Sequence, residues 1–397
     1  MKVTIVVGGR WHAFDLAREL HQLGHLHRLI TNYPKFKTRQ WQIPDEKVVS
    51  LPFSFMAERM MRHLGGEQFV MRAQYFIHRG FAEAAAKRLE GSDIVHGWSS
   101  FSEPSIQWCR ARGIPFILER GSAHMSAQCE LLRQEREQTG ERSPETHPQI
   151  VAMELREYEM ADRVAVPSRF VESTFHQMGF PAEKLLYNPL GVNLQHFQPG
   201  TKEDAVFRVI YAGAMSMRKG IRYFVEGFLR ADLQGSELLL IGGKLKDTEH
   251  LLKGKDGCIR RLEHVPQAEL VRHYQQGSVF VISSVEEGMA MVQAQAMACG
   301  LPLICTTNTG GEDLLQLSSP DAAPQNHGAI KEYPAGYVTP IRDPEAIAWC
   351  LKELKDKPQL LREKSEAALR IRSSRLDWRA YAERAVNVYQ NLSKGTK

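Results

Sequence analysis

The chain has 397 residues, 43% of them hydrophobic and 24% charged, which is enough for two domains that each bury a core. Its formal charge of +5 is a mild excess that does not demand nucleic acid; no run approaches the roughly 20 apolar residues of a membrane span, and the opening MKVTIVVGGR is too short in apolar residues for a secretory signal, so a cytoplasmic protein is expected. The six cysteines, Cys109, Cys129, Cys258, Cys299, Cys305 and Cys350, show neither C-x-x-C spacing nor clustering with His, which argues for reduced thiols and against a zinc site.

Short β-branched runs alternate with longer amphipathic stretches, the pattern of βαβ units around a parallel sheet. The first run, Val3–Val7, leads into Gly8-Gly9-Arg10 and a helix expected from about His12 to Leu23. This is not the complete G-x-G-x-x-G of a dinucleotide site, and a simple tight βα turn accounts for it equally well. From Pro52 to Phe81, Arg59, Arg62, Arg72 and Arg79 are interleaved with Phe, Met and Tyr. Such a basic amphipathic face suits either an anionic membrane surface or helices that cover a sheet and shape a cleft. Strands follow at Asp93–His96, Pro115–Leu118 and Arg163–Val166, with the polar residues 132–149 expected as a loop or solvated helix. His96, Glu119, Arg120 and, one turn later, His124 fall at strand ends, where α/β proteins collect ligands; a lone histidine there is nevertheless more often structural.

Pro, Gly and Asn crowd the segment from Tyr187 to Gly200, so a domain boundary is placed near residues 190–205. A second set of strands is expected at Arg208–Ala212, Glu237–Ile241, Val279–Ile282 and Pro302–Cys305. After the first of these come Gly213 and the cations Arg218 and Lys219, and a fixed cation is what a departing diphosphate requires. Gly242 and Gly243 leave room for a nucleobase after the next strand. After Val279–Ile282 an acidic turn, Glu286-Glu287-Gly288-Met289-Ala290, opens a small-residue helix that stops at Gly300 with Pro302 behind it. The start of such a helix offers free N–H groups to a phosphate, Gly288 permits close approach, and Glu287 and Gln295 are spaced to point into one pocket as acceptors for sugar or ribose hydroxyls. From Asp377 to Leu392, Trp378, Tyr381, Ala382, Ala385, Val386, Val388 and Tyr389 recur at helical period and need a surface to pack on.

The stretch from Ser283 to Pro302 resembles the E-x7-E signature of retaining GT-B glycosyltransferases, the large family-four group, with Glu287 as the first glutamate, Gln295 where the second stands, and Met289-Ala290 in place of Phe-Gly. Tyr211–Gly220 resembles that family's G-R-x-x-x-x-K-G element; Lys219 matches the lysine, Ala214 occupies the arginine position, and Arg218 is the compensating cation. Asn188–Asn193 is similar to the interdomain P-N-G-V-D, and Thr309–Glu312 to the G-G-x-x-E turn, so the resemblance covers most of residues 161–350. It implies a GT-B fold, two Rossmann-like parallel-sheet domains facing a central cleft. Residues 1–190 would bind the acceptor, residues 191–376 the nucleotide-sugar donor, and residues 377–397 would form a helix packing back on the first domain.

The resemblance further implies metal-independent transfer with retention, from a UDP- or GDP-sugar and without a cofactor, to a saccharide or lipid-linked hydroxyl in polysaccharide or glycolipid synthesis of the cell envelope. Glu287, Lys219 and His124 are the candidate catalytic groups, and Arg218, Gly213, Gly288, Met289, Gln295 and Gly242 the candidate donor contacts. Gly8, Gly9, Arg10, His96, Glu119 and Arg120 are the candidate acceptor or cleft residues. Gly121 aligns with the family's general-base histidine, which leaves His124 and His96 competing for that role. No D-x-D is present to clamp a divalent ion. Two rival readings stay open, the first motivated by the departures of Ala214 and Gln295 from the family pattern. One is a nucleotide-sugar-binding or assembly protein without transfer chemistry; the other is a phosphorylase or epimerase on the same frame.

Overall fold

The computed structural model describes residues 1–140, 145–243, 257–263 and 265–395. Its first sheet takes β1 (Val3–Val7), β2 (Leu26–Thr31), β3 (Val48–Ser50), β4 (Ile94–Trp98), β5 (Phe116–Glu119), β6 (Arg163–Val166) and β7 (Leu185–Tyr187) in the order β3-β2-β1-β4-β5-β6-β7. Every pairing is parallel. All five residues of β1 are buried, as a strand covered by helices on both faces requires.

The second sheet is formed by β8 (Phe207–Ala212), β9 (Ser236–Ile241), β10 (Ile259–Leu262), β11 (Val279–Ile282), β12 (Leu303–Thr306), β13 (Gln325–His327), β14 (Ile330–Tyr333) and β15 (Gly336–Thr339). Their order is β10-β9-β8-β11-β12-β15-β14-β13, parallel except for the antiparallel edge formed by β13, β14 and β15. Each sheet reverses direction of growth beside its first strand, β1 or β8, which opens a crevice at the carboxyl ends of the strands. Two sheets of this kind, each flanked by helices, constitute the GT-B architecture.

The chain crosses between the domains twice. After β7, Val192 N–H donates to the Leu376 carbonyl at 2.8 Å, and a Cβ on Gly191 would lie 2.7 Å from the Trp378 backbone, so the outgoing and returning strands of chain run in contact. The helix Trp378–Gly395 then lies against the first domain. Trp378, Tyr381, Ala382, Ala385, Val386 and Tyr389 form its buried face, the Tyr389 hydroxyl bonds to His96 Nδ1 at 2.6 Å, and the Tyr381 hydroxyl donates to Glu119 Oε2 at 3.1 Å.

Residues 132–139, expected as loop or solvated helix, belong to the helix Met125–Thr139, which ends at Gly140 with φ of +69°. Arg133, Glu137 and Gln138 are exposed, as in a solvated helix, whereas Glu135 is buried and accepts from the Tyr223 hydroxyl at 2.9 Å and from Arg342 Nε at 2.7 Å in the second domain. Residues 141–144 lie outside the described residues. The arginine-rich stretch after Pro52 is one helix, Phe53–Ala86. Arg79 is tied to Glu83 and Glu103, Arg59 and Arg72 are exposed, and the Arg62 side chain lies outside the described residues. Among the described residues no helix is long and apolar enough to cross a membrane.

Candidate active site

Three turns at the carboxyl ends of β8, β9 and β11 build one surface. Gly213 and Gly242 adopt φ of +148° and +136°, and a Cβ on Gly242 would lie 2.1 Å from the Gly213 carbonyl oxygen. Only residues without a side chain let these two turns touch. The turn after β8 is fixed to the turn after β11 by Ser283, whose hydroxyl donates to the carbonyls of Lys219 at 3.1 Å and Gly220 at 3.0 Å. Gly220 has φ of +64° and no space for a Cβ, which would approach the Ser283 carbonyl to 2.0 Å.

This locking brings the cations to the acids. The Lys219 ammonium contacts Glu287 Oε2, and Arg218 Nη1 lies 3.7 Å from the same oxygen. Burial and the neighbouring Arg218 pull the Lys219 pKa down to about 7, while the Glu287 carboxylate in contact with it favours the charged form. Glu286 has no exposed surface and accepts from Ala123 N–H at 2.9 Å, Gln128 Nε2 at 2.8 Å and Arg218 Nη1 at 3.1 Å. Burial opposes its charge, yet Arg218, Gln128, Ala123 N–H and Arg120 together hold its pKa below the usual carboxylate value.

The helix Met291–Ala298 starts after Ala290 with no side-chain cap, so no side chain competes with an anion for its first N–H groups, of which Gln293 N–H bonds to the Ala290 carbonyl at 3.0 Å. Met289 and Gln295 are buried beside that start. Gln295 Oε1 has no hydrogen-bond partner, a condition that costs about 1–3 kcal/mol for a buried acceptor unless a ligand hydroxyl supplies the donor. Gly288 touches the first domain. A Cβ there would stand 1.8 Å from the Gly121 carbonyl oxygen, and the Gly288 carbonyl accepts from Ser168 Oγ at 2.7 Å.

The first-domain candidates divide into two groups. Arg120 backs the cleft; it is buried, with Nε donating to the Ala123 carbonyl at 3.0 Å, Nη1 to Glu154 at 2.8 Å and Nη2 to Gln128 Oε1 at 2.9 Å. His124 begins the helix Met125–Thr139, where its Nδ1 accepts from Ser126 N–H at 3.2 Å and its ring packs on Tyr158 and Phe175. Burial and then Arg120 push its pKa down to about 4. A neutral, weakly basic ring whose Nδ1 is occupied by the backbone has a capping position rather than a proton-accepting one.

His96 and Glu119, expected at the cleft, lie beneath the C-terminal helix instead, both without exposed surface. Glu119 bridges His12 Nε2 and His96 Nε2, each at 3.0 Å, and accepts from Tyr381. The helix Trp378–Gly395 covers the strand ends that would otherwise face the cleft. Gly8 and Gly9 are close-approach positions: a Cβ on Gly8 would meet the Phe101 ring at 2.3 Å and one on Gly9 the Trp11 indole nitrogen at 2.7 Å. Arg10 reaches over the Trp41 ring at 5.2 Å. Among the described residues no hydrogen bond or ion pair joins Gly8, Gly9 or Arg10 to Lys219 or Glu287.

Burial alone would raise the Glu119 pKa, but the charges and hydrogen bonds of His12 and His96 bring it down to about 2. A folded-state value below the unfolded one of about 4.3 contributes stability above that pH and loses it as pH falls toward 2. The difference corresponds to about 3 kcal/mol. Glu119→Gln should therefore flatten the acid limb of a stability–pH curve measured by chemical denaturation. An acid limb as steep as that of the wild type would remove Glu119 from this account.

Sequence reasoning fixed on Glu287 and passed over Glu286, Gln128 and Ser168. The doubled acid after β11 was the available signal, since successive residues of an extended segment point to opposite sides. Among the described residues no group of three or more His, Cys, Asp or Glu could hold a metal ion.

Residues 7–191 match the family described as glycosyl transferase 4-like domain, and residues 206–357 the family described as glycosyl transferases group 1. The amylovoran biosynthesis glycosyltransferase AmsK of Erwinia amylovora is 26% identical over 204 residues, 47% of this chain and 46% of that protein. The D-inositol 3-phosphate glycosyltransferase 1 of Catenulispora acidiphila is 24% identical over 330 residues, 76% of this chain and 73% of that one. The chain thus spans about half the length of the first relative and nearly three quarters of the second. The structure of Anabaena Alr3699/HepE in complex with UDP superimposes with a TM-score of 0.67 at 13% identity, covering 98% of this chain and all of that one, a likeness of fold. Two family matches that follow one another along the chain, one on each sheet of a GT-B fold, place this protein among the group 1 glycosyltransferases.

Proposed function

We propose that the protein transfers a sugar from a nucleoside diphosphate donor, UDP- or GDP-linked, to a hydroxyl of a saccharide or lipid-linked acceptor, with retention of anomeric configuration and without a divalent ion. The observation that carries this reading is the meeting of Lys219, Arg218 and an uncapped helix start around Glu287. The bond from the anomeric carbon to the diphosphate oxygen breaks, and negative charge grows on that oxygen. The two cations and the free N–H groups stabilise it. The acceptor oxygen bonds to the same face of the anomeric carbon while its proton passes to the departing diphosphate. Glu287 and the unpartnered Gln295 oxygen serve as acceptors for sugar and ribose hydroxyls.

Support for UDP comes from the HepE complex, and support for a role in polysaccharide-type biosynthesis from the amylovoran biosynthesis relative and from the O-antigen chain mannosyltransferase B of Escherichia coli. Phe53, Met56, Met60 and Phe76 are 59–79% exposed on the helix Phe53–Ala86, together with Arg59 and Arg72. Apolar side chains among cations fit peripheral binding to an anionic membrane that presents the acceptor.

The test is an assay of the purified protein with UDP- and GDP-sugars in EDTA, with the anomeric configuration of the product read by NMR, alone and with anionic vesicles. Product of retained configuration in EDTA is expected, with faster transfer on vesicles. An inverted product or a strict metal requirement would contradict the mechanism, and transfer indifferent to vesicles would remove the membrane. Turnover of the donor only with added phosphate, or with no acceptor, would favour a phosphorylase or epimerase.

A further inference from the structure

Glu286 precedes the motif glutamate, and its carboxylate faces the other domain. Its Oε1 accepts from Ala123 N–H, and its Oε2 from Gln128 Nε2 and Arg218 Nη1. The Gln128 amide is held in turn by Arg120, which donates to Gln128 Oε1 at 2.9 Å and to Glu154 at 2.8 Å. A guanidinium only donates and a carboxylate only accepts, so the Gln128 amide fits between them in one orientation alone. Glu154, Arg120 and Gln128 on the first domain and Glu286 and Arg218 on the second therefore form a directional chain of hydrogen bonds across the seam.

We infer that Glu286 is a positioning residue that couples closure of the two domains to the seating of the Arg218–Lys219 turn. Two of its three partners, Ala123 N–H and Gln128, belong to the first domain. When the domains part, water can replace the two first-domain donors, and Arg218, which already donates to the Glu286 carboxylate and carbonyl from the same domain, is the protein donor that stays with it, so the guanidinium is held toward Glu286 and away from a diphosphate. Docking of residues 121–128 returns two donors to Glu286 and leaves the remaining nitrogens of Arg218 free to meet the ligand. The inference rests on the reading of that turn as the diphosphate site.

Glu286→Gln preserves shape but sets an amide donor against Ala123 N–H or the Gln128 amide. The reversed pair Glu286→Gln with Gln128→Glu restores the contact across the seam, because the new amide oxygen still accepts from Ala123 N–H and a carboxylate at position 128 can accept from both Arg120 and the amide nitrogen, although that nitrogen then opposes Arg218 Nη1. Small-angle scattering on the free proteins and calorimetric titration with UDP and GDP test this. Glu286→Gln should expand the radius of gyration and weaken nucleotide binding by about tenfold, within the usual range of coupling between linked sites, and the reversed pair should recover the radius. Should Glu286→Gln not fold, Gln128→Leu cuts the same seam from the first domain and carries the same comparison. A wild-type radius in the single variant, or a reversed pair that stays expanded, overturns the inference. Failure of the wild type to bind either nucleotide sinks the diphosphate reading instead, and the scattering comparison still judges the seam.

Discussion

Lys219→Ala is expected to reduce sugar transfer by about a hundredfold or more while leaving the fold intact. A preorganised donor aimed at charge that develops in the transition state is worth about 10²–10³ in turnover. Lys219 holds such a position because the Ser283 hydroxyl fixes its carbonyl and Gly220 closes the turn behind it. The loss should fall on kcat more than on the KM for donor, since the charge it answers grows only as the bond breaks. Burial and Arg218 pull its pKa to about 7 while the Glu287 contact opposes them, so in the free enzyme the cation is lost only as pH rises above that value. A bound diphosphate raises the pKa again, and donor binding above about pH 7 should take up a proton. Calorimetry in buffers of different ionisation enthalpy reads that uptake, and Lys219→Ala should abolish it. Near-normal turnover by the variant would take Lys219 out of the chemistry.

The parts of this site that could be read in the sequence are those built from consecutive residues. Val279–Ile282 is β11 as expected, and Glu287, Gly288 and Gln295 are placed by the turn and helix that follow it. Lys219 follows β8 in the same way. Strands at the sheet edges or next to them were not legible. His27 and Arg28 interrupt the apolar run of β2, and β13, Gln325–His327, is an exposed stretch paired antiparallel to β14, so neither carries the pattern of a buried parallel strand. The burial of His96 and Glu119 was not legible for a different reason. Strand-end position alone predicted a rim location for His96 and Glu119, but Tyr381 and Tyr389, more than 260 residues further along, cover them. Glu286 depends likewise on Gln128, 158 residues away. Such contacts follow from the packing of domains, and local sequence does not encode them.

Gly288→Ala should be as damaging as the loss of Lys219, through geometry alone. The added Cβ would lie 1.8 Å from the Gly121 carbonyl oxygen, 2.6 Å from its carbon and 3.2 Å from Ser122 N, all backbone atoms that no rotamer change can remove. The Gly288 carbonyl is itself held by Ser168 at 2.7 Å. The methyl must therefore push the two domains apart or shift the turn that carries Glu287. Displacing a reacting group by about 1 Å can cost a hundredfold in rate, and transfer should fall by that order. Each domain has a buried cluster of its own on one face of its sheet and the Gly288 contact lies outside the cluster that the domains share, so the melting temperature should change little. Gly121→Ala separates this account from general intolerance of the seam: the two glycines touch, but a Cβ on Gly121 meets nothing within 4 Å. Transfer rates for both variants settle the matter, because equal losses would mean that the Gly288 contact is not what the cleft depends on, whereas a severe loss at Gly288 beside a mild one at Gly121 follows only if closure requires the bare backbone of Gly288.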